Sequence, residues 1–122
     1  MTTLVEDVIA ALTTAGYSNF RAYPGFDSDT VDQILVRPGG GVSIPILGQT
    51  TADIEKPKVQ IQVRDDDPRT AEARVLAIKA LLHKSTTVNN SLMVVWDGRA
   101  PDFWVDDNGL SIFSQNFTII RR

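Results

Sequence analysis

Three consecutive carboxylates, Asp65, Asp66 and Asp67, are the densest group of potential metal ligands in the sequence. Consecutive side chains point in different directions, however, and a divalent ion needs about six to eight oxygens converging on one point. Asp67 has a competing use, because with Pro68 behind it it stands where a helix begins, as an N-cap for the first unpaired amides. Asp27, Asp29 and Asp32 open like a calcium loop, but Val31, Asp32 and Pro38 fill the positions that need a ligand, a glycine and a glutamate. A solvated turn is the better reading of that stretch. The single histidine, His83, lies near a predicted helix C-terminus, and no serine or aspartate motif recommends it as a base. Gly39, Gly40 and Gly41 are not followed by the Lys-Ser or Lys-Thr of a phosphate loop. Trp96, Phe103 and Trp104 offer stacking faces without basic neighbours, which favours core or subunit-interface roles over contact with bases. No nucleophile, acid and anion hole assemble, so the sequence predicts no catalytic residue, no cofactor and no metal site.

The elements that must position these residues centre on Lys58 to Lys84. Val59, Ile61 and Val63 alternate with Lys58, Gln60, Gln62 and Arg64, which predicts a strand with one dry and one wet face. Beyond the Asp67 cap, Ala71, Val75, Ile78 and Leu82 form one helical stripe, widened by Leu81, that must cover the apolar side of a sheet. Upstream, Thr3 and Glu6 make a capping box, and Val5, Val8, Ile9 and Leu12 predict a helix from Leu4 to Ala15, closed by a left-handed Gly16. A short strand fits around Phe20 and Ala22, and another spans Gln33 to Arg37, ended by Pro38 and the glycines. From Gly39 to Lys56 the sequence reads as a long connection between strands, too apolar at Val42, Ile44, Ile46 and Leu47 for a solvated tether, so it either folds back over its own sheet or waits for a partner surface.

Downstream, Leu92 to Trp96 is strongly strand-forming. Strand, helix, strand predicts a crossover unit. Asp97-Gly98 and Asn108-Gly109 are turns around a short strand at Asp102 to Val105, which predicts a closing antiparallel meander. In the last strand, Leu110 to about Ile120, Phe113, Phe117 and Ile119 lie on one side and Leu110 and Ile112 on the other. That predicts either a bulge near Ser114 or different cover along the strand. The expected fold is α+β and two-layer, with two helices on one face of a mixed, mainly antiparallel sheet in the order α-β-β-α-β-β-β. The whole of 1–122 forms one domain, with a flexible arm at about 39–56.

Twelve basic against fifteen acidic residues leave a net charge of −3, without the basic stripe of a nucleic-acid reader. Cysteine is absent, which removes disulfides, thiolate metal sites and a cysteine nucleophile. No stretch reaches the roughly 20 apolar residues that cross a bilayer, and Met1 to Gly16 is amphipathic rather than signal-like, so no membrane partner is expected.

Together these residues resemble the small phage minor capsid proteins that act as tail terminators, also described as tail-completion or head-to-tail joining proteins. The resemblance is carried by the strand ending in Arg64-Asp65, the Ala/Arg-rich helix ending in Leu81-Leu82-His83 and the strand closing on Trp96. Asp107-Asn108-Gly109 leading into Ile112-Phe113-Ser114-Gln115-Asn116-Phe117 and the C-terminal Arg-Arg complete it. It covers about residues 3 to 122, most clearly Pro57 to Arg122, while Pro38 to Lys56 departs from the pattern.

The resemblance implies a virion protein without enzymatic activity, made in the host cytoplasm and placed at the neck of a long-tailed phage. It would form a homo-oligomeric ring, sixfold in related proteins, on the head-proximal end of the tail tube. There it would stop tube growth and meet both the major tail-tube protein and the head connector or stopper, while DNA passes without specific binding. On that reading Val42, Ile44 and Ile46 anchor the arm on a partner, with Asp53 and Glu55 on its rim. Asp27, Asp29, Asp65 and Asp66 would line the channel and repel passing DNA. The rival in the same class is a head-side connector or stopper. A small hydrolase or a nucleic-acid-binding module are the rivals from other classes.

Overall fold

The computed structural model of the chain describes residues 4–18, 20–22, 31–44, 54–85, 88 and 93–120. The elements run α1 (Leu4–Thr14), β1 (Phe20–Ala22), β2 (Gln33–Ile44), β3 (Ile54–Asp65), α2 (Pro68–Leu82), β4 (Met93–Trp96), β5 (Asp102–Val105) and β6 (Ser111–Ile120). This is the expected α+β architecture, and the short strand expected around Phe20 and Ala22 forms as β1, so three strands precede α2 where the expected order had two. β3 pairs antiparallel with β2 on one side and β6 on the other, β1 lies parallel to β2, and β4 and β5 both pair with β6. The sheet order is β1-β2-β3-β6-β4, with β5 beside β6.

Register turns the alternation of single strands into one apolar face. Ile34, Val63 and Phe113 stand in one row across three strands, Val36 and Ile61 in the next, and Val59 and Phe117 in a third. Both helices close that face: Val5, Val8 and Leu12 of α1 and Ala71, Val75, Ile78 and Leu82 of α2 join the strand residues in one buried cluster. Each such aliphatic side chain contributes roughly 1.5–3 kcal/mol when fully buried, so this layer dominates the stability.

Local signals fix both helices. The Asp67 carboxylate accepts from the Arg69 amide at 3.0 Å and from the Thr70 hydroxyl at 3.2 Å, with Pro68 in the first turn. At the other end the His83 amide donates to the Lys79 carbonyl at 2.9 Å, and the chain is then tied to β4 by Lys84 N–H to Val94 O at 2.7 Å. α1 ends where Gly16 takes φ +101°, a left-handed cap that a side chain would strain.

Four expectations change. The glycine-rich stretch after Pro38 is strand rather than loose connection: β2 continues to Ile44 and pairs Val42 with Lys56, Ser43 with Glu55 and Ile44 with Ile54. Pro38 and the glycines do not end the strand because the register shifts between Pro38 and Gly40, which absorbs the residue that lacks a partner. Of the expected arm, residues 45–53 lie outside the described residues.

The closing meander is replaced by an interrupted edge strand. β4 pairs with Phe117 to Ile120 and β5 with Ser111 to Ser114, both antiparallel to β6, so they lie end to end with residues 97–101 looping out between them. β3 and β4 therefore run parallel with β6 between them, and the crossover through α2 skips one strand. In β6 no bulge interrupts the pairing from Ser111 to Thr118, so different cover along the strand is the alternative that holds. Finally, the second face of β3 is not uniformly wet, since Gln62 and Arg64 are buried. Each has a polar partner: the Gln62 amide donates to Gln60 Oε1 at 3.0 Å, and Arg64 Nη1 lies 3.6 Å from Asp106 Oδ2.

Candidate functional site

At one end of the sheet, where β3 finishes and β6 begins, the acids divide into structural and free. Asp65 is 8% exposed, its Oδ1 accepts from the Asp67 amide at 3.0 Å, and its Oδ2 lies 3.9 Å from Arg74. Arg74 also forks onto both oxygens of Asp32. These side chains are partly solvated, so the pair is worth at most about 1 kcal/mol. Asp66 is exposed, as is Asp107 in the turn before β6. The expected channel set is therefore not uniform: Asp65 serves the fold, Asp66 is free to meet solvent, and Asp27 and Asp29 lie outside the described residues. Among the described residues no group of three or more potential ligands could hold a metal ion.

The turn that presents Asp107 is built by Asp106. Its Oδ1 accepts from the Asn108 and Leu110 amides, each at 2.9 Å, and Gly109 N–H returns to the Asp106 carbonyl at 3.0 Å. Gly109 takes φ +79° and Asn108 does not turn left-handed, so the connection is a longer turn than the two-residue hairpin the Asn-Gly pair suggested.

The expected arm anchors fall on the β2–β3 ribbon. Val42 and Ile44 occupy β2, Glu55 occupies β3, and Ile46 and Asp53 lie outside the described residues.

The aromatic residues separate by position. Trp96 packs against the core, and its backbone N–H donates to Nδ1 of His83 at 3.0 Å, which makes that histidine a clamp between α2 and β4. Lys79 Nζ sits 3.8 Å from the centre of the Trp96 ring. Phe103, Trp104 and Val105 instead stand exposed on β5, where Phe103 leans on Phe113 with ring centres 4.7 Å apart. Among the described residues, three large apolar side chains in a row on an edge strand are the clearest unsatisfied surface.

A groove on the sheet face opposite the helices has no counterpart among the sequence expectations. About 860 Å³ of space is lined by Arg37, Lys58 and Arg99, with Gln60, Asn116 and Asp97 among its polar walls. Pairing assembles it, because Arg37 faces Gln60 and Gln60 faces Asn116 across three strands, with Lys58 beside Thr118. Arg37 Nε donates to Gln60 Oε1 at 2.7 Å, which aims the guanidinium along the groove. Arg99 is held through its backbone. Its carbonyl accepts from the Trp96 indole at 3.0 Å and the Gln115 amide at 2.8 Å, and its N–H donates to Asp97 Oδ1 at 3.0 Å. The three cations are far apart in sequence and share no motif, so only strand register reveals them.

What stands out among the described residues is surface geometry, and comparison with known proteins says which family carries it. A family model described as bacteriophage tail terminator protein matches residues 12–122. The chain belongs to the bacteriophage tail terminator family. It is thus a structural protein of the phage tail and a component of the virion. Among solved structures, a chain from the virion of a native gene transfer agent particle shares the fold, with a TM-score of 0.55 and 15% identity over 93% of this chain and 82% of that one. A search of curated proteins found no match. In this tail terminator the β5 edge carries exposed apolar side chains and the groove carries exposed cations. Among the described residues no helix is long and apolar enough to cross a membrane.

Proposed function

We propose that this tail terminator closes into a homo-oligomeric ring on the head-proximal end of the tail tube. The ring stops polymerisation of the major tail-tube protein and offers its other side to the head connector or stopper. DNA passes through without specific binding, in keeping with a net charge of −3. The observation that carries the reading is the family match over residues 12–122. The exposed Phe103-Trp104-Val105 edge supports it, since a ring subunit needs unsatisfied patches for its neighbours.

Within this reading the β2–β3 ribbon contacts the tail-tube protein or a neighbouring subunit. Val42, Ile44 and Ile46 act as its anchors, with Asp53 and Glu55 at the rim. Deleting Val42 to Gly48 leaves a folded monomer that no longer caps tails. The test compares tail lengths from infections with the intact and the deleted protein: overlong tubes are expected from the deletion. Tails of normal length would refute the ribbon's role. Detection of the protein on heads purified without tails, and its absence from tails purified without heads, would favour a head-side connector instead.

A further inference from the structure

We infer that the groove of Arg37, Lys58 and Arg99 is a socket for the acidic end of a second copy of this chain. The two surfaces lie at opposite ends of the β3–β6 pairing. Lys58 pairs with Thr118 and Asp65 with Ser111, so the register places the groove and the acidic end about 23 Å apart at ~3.3 Å per residue. At the acidic end Asp66 and the turn residue Asp107 are exposed, and neither has a hydrogen-bond or ion-pair partner among the described residues. At the groove three exposed cations converge against the one acid Asp97. A projecting acidic end on one side and a cationic recess on the other make a head-to-tail contact, the kind that repeats around a ring.

Both surfaces are held in shape before they meet. Asp106 fixes the turn that carries Asp107 through two amide hydrogen bonds. Gln115, Trp96 and Asp97 fix the backbone of the loop that carries Arg99. Such preorganisation limits the ordering cost of association. Duplex DNA is the weaker candidate for the groove, because a phosphate track calls for a basic stripe and the chain carries net charge −3. The assignment rests on the ring reading and moves Asp66 from the channel wall to the subunit boundary.

Charge reversal in halves tests it. One variant carries Lys58→Glu and Arg99→Glu, a second carries Asp66→Lys and Asp107→Lys, and a third combines all four. Self-association is measured by sedimentation at low and high salt, with thermal melting of each monomer as the folding control. Wild-type association should weaken with salt, each half-reversal should weaken it on the order of a hundredfold, and the combined chain should recover to within roughly tenfold of wild type. The two half-reversed chains, mixed, should associate with each other.

A wild-type chain that stays monomeric at every concentration and salt tested overturns the contact. So does association that ignores the groove reversal, or a combined chain no better than either half. A groove reversal that abolishes salt-sensitive retention of duplex DNA while leaving self-association unchanged overturns it in favour of DNA. If the half-reversals abolish association but tails keep normal length, the capping reading fails and the contact stands. If they still form rings and cap tails, the contact fails and the capping reading stands.

Discussion

Replacing Gln115 with methionine sets two effects of similar size against each other. Gln115 is 2% exposed, and its amide donates to the Arg99 carbonyl at 2.8 Å and, weakly, to Asp97 Oδ1 at 3.4 Å. Losing the shorter bond removes about 1 kcal/mol, and the longer one adds little. The Arg99 carbonyl is not orphaned, because the Trp96 indole still donates to it at 3.0 Å. Against that loss, Gln115 Oε1 is buried without a hydrogen-bond partner among the described residues, a situation that costs about 1–3 kcal/mol and disappears with the thioether. Methionine fills nearly the same volume and adapts to irregular space. Global stability by urea unfolding should therefore lie between unchanged and about 2 kcal/mol higher.

The loop should respond differently, since nothing there replaces the lost tie. Amide exchange at Gly98 and Arg99 should accelerate about fivefold, the equivalent of ~1 kcal/mol of local opening. A global loss above about 3 kcal/mol, or unchanged exchange in the loop, would show that Gln115 supports the core rather than the groove.

Asp67→Ala removes the cap of α2 and should cost about 1 kcal/mol in urea unfolding without affecting α1, since only Arg69 N–H and Thr70 lose their acceptor. Phe117→Ala opens a cavity at a side chain that is 0% exposed, at the centre of the sheet, and should cost about 3–5 kcal/mol by the same measurement. Val105→Lys changes a residue that is 54% exposed on the edge strand, so monomer stability should stay within about 0.5 kcal/mol, whereas tail-length control should weaken if β5 faces a partner. A normal tail-length distribution with that lysine in place would remove β5 from the assembly surface.

What the sequence made legible was what short range determines. Asp67, Pro68 and the stripe from Ala71 to Leu82 announce α2 because capping and helical period involve neighbours only. The same holds for Gly16 and for β5, bounded by its two turns. The ribbon beyond Pro38 was hidden because proline and three glycines are ordinary strand breakers, and only the partner strand reveals that a shifted register keeps them paired. Gln62 and Arg64 looked solvated because their types are polar, while their burial depends on Gln60 and on Asp106 in a distant turn. Trp96 and Trp104 are chemically equal, yet one packs against the core and the other stands exposed, a difference set by where each falls along β6. The groove is the extreme case, because its cations meet only through register.

The sheet also explains why a small tail protein needs partners. β3 pairs with β6 only from Lys58 onward, so Ile54 to Pro57 have β2 as their one described neighbour. A two-stranded ribbon is marginal on its own in water, and this one carries Val42, Ile44 and Ile54 in its sequence. Among the described side chains, the buried cluster takes Ile34 and Val36 from β2 and Val59, Ile61 and Val63 from β3. Backbone pairing to one neighbour alone gives such a segment little support, so a further strand or surface laid against it would add most there.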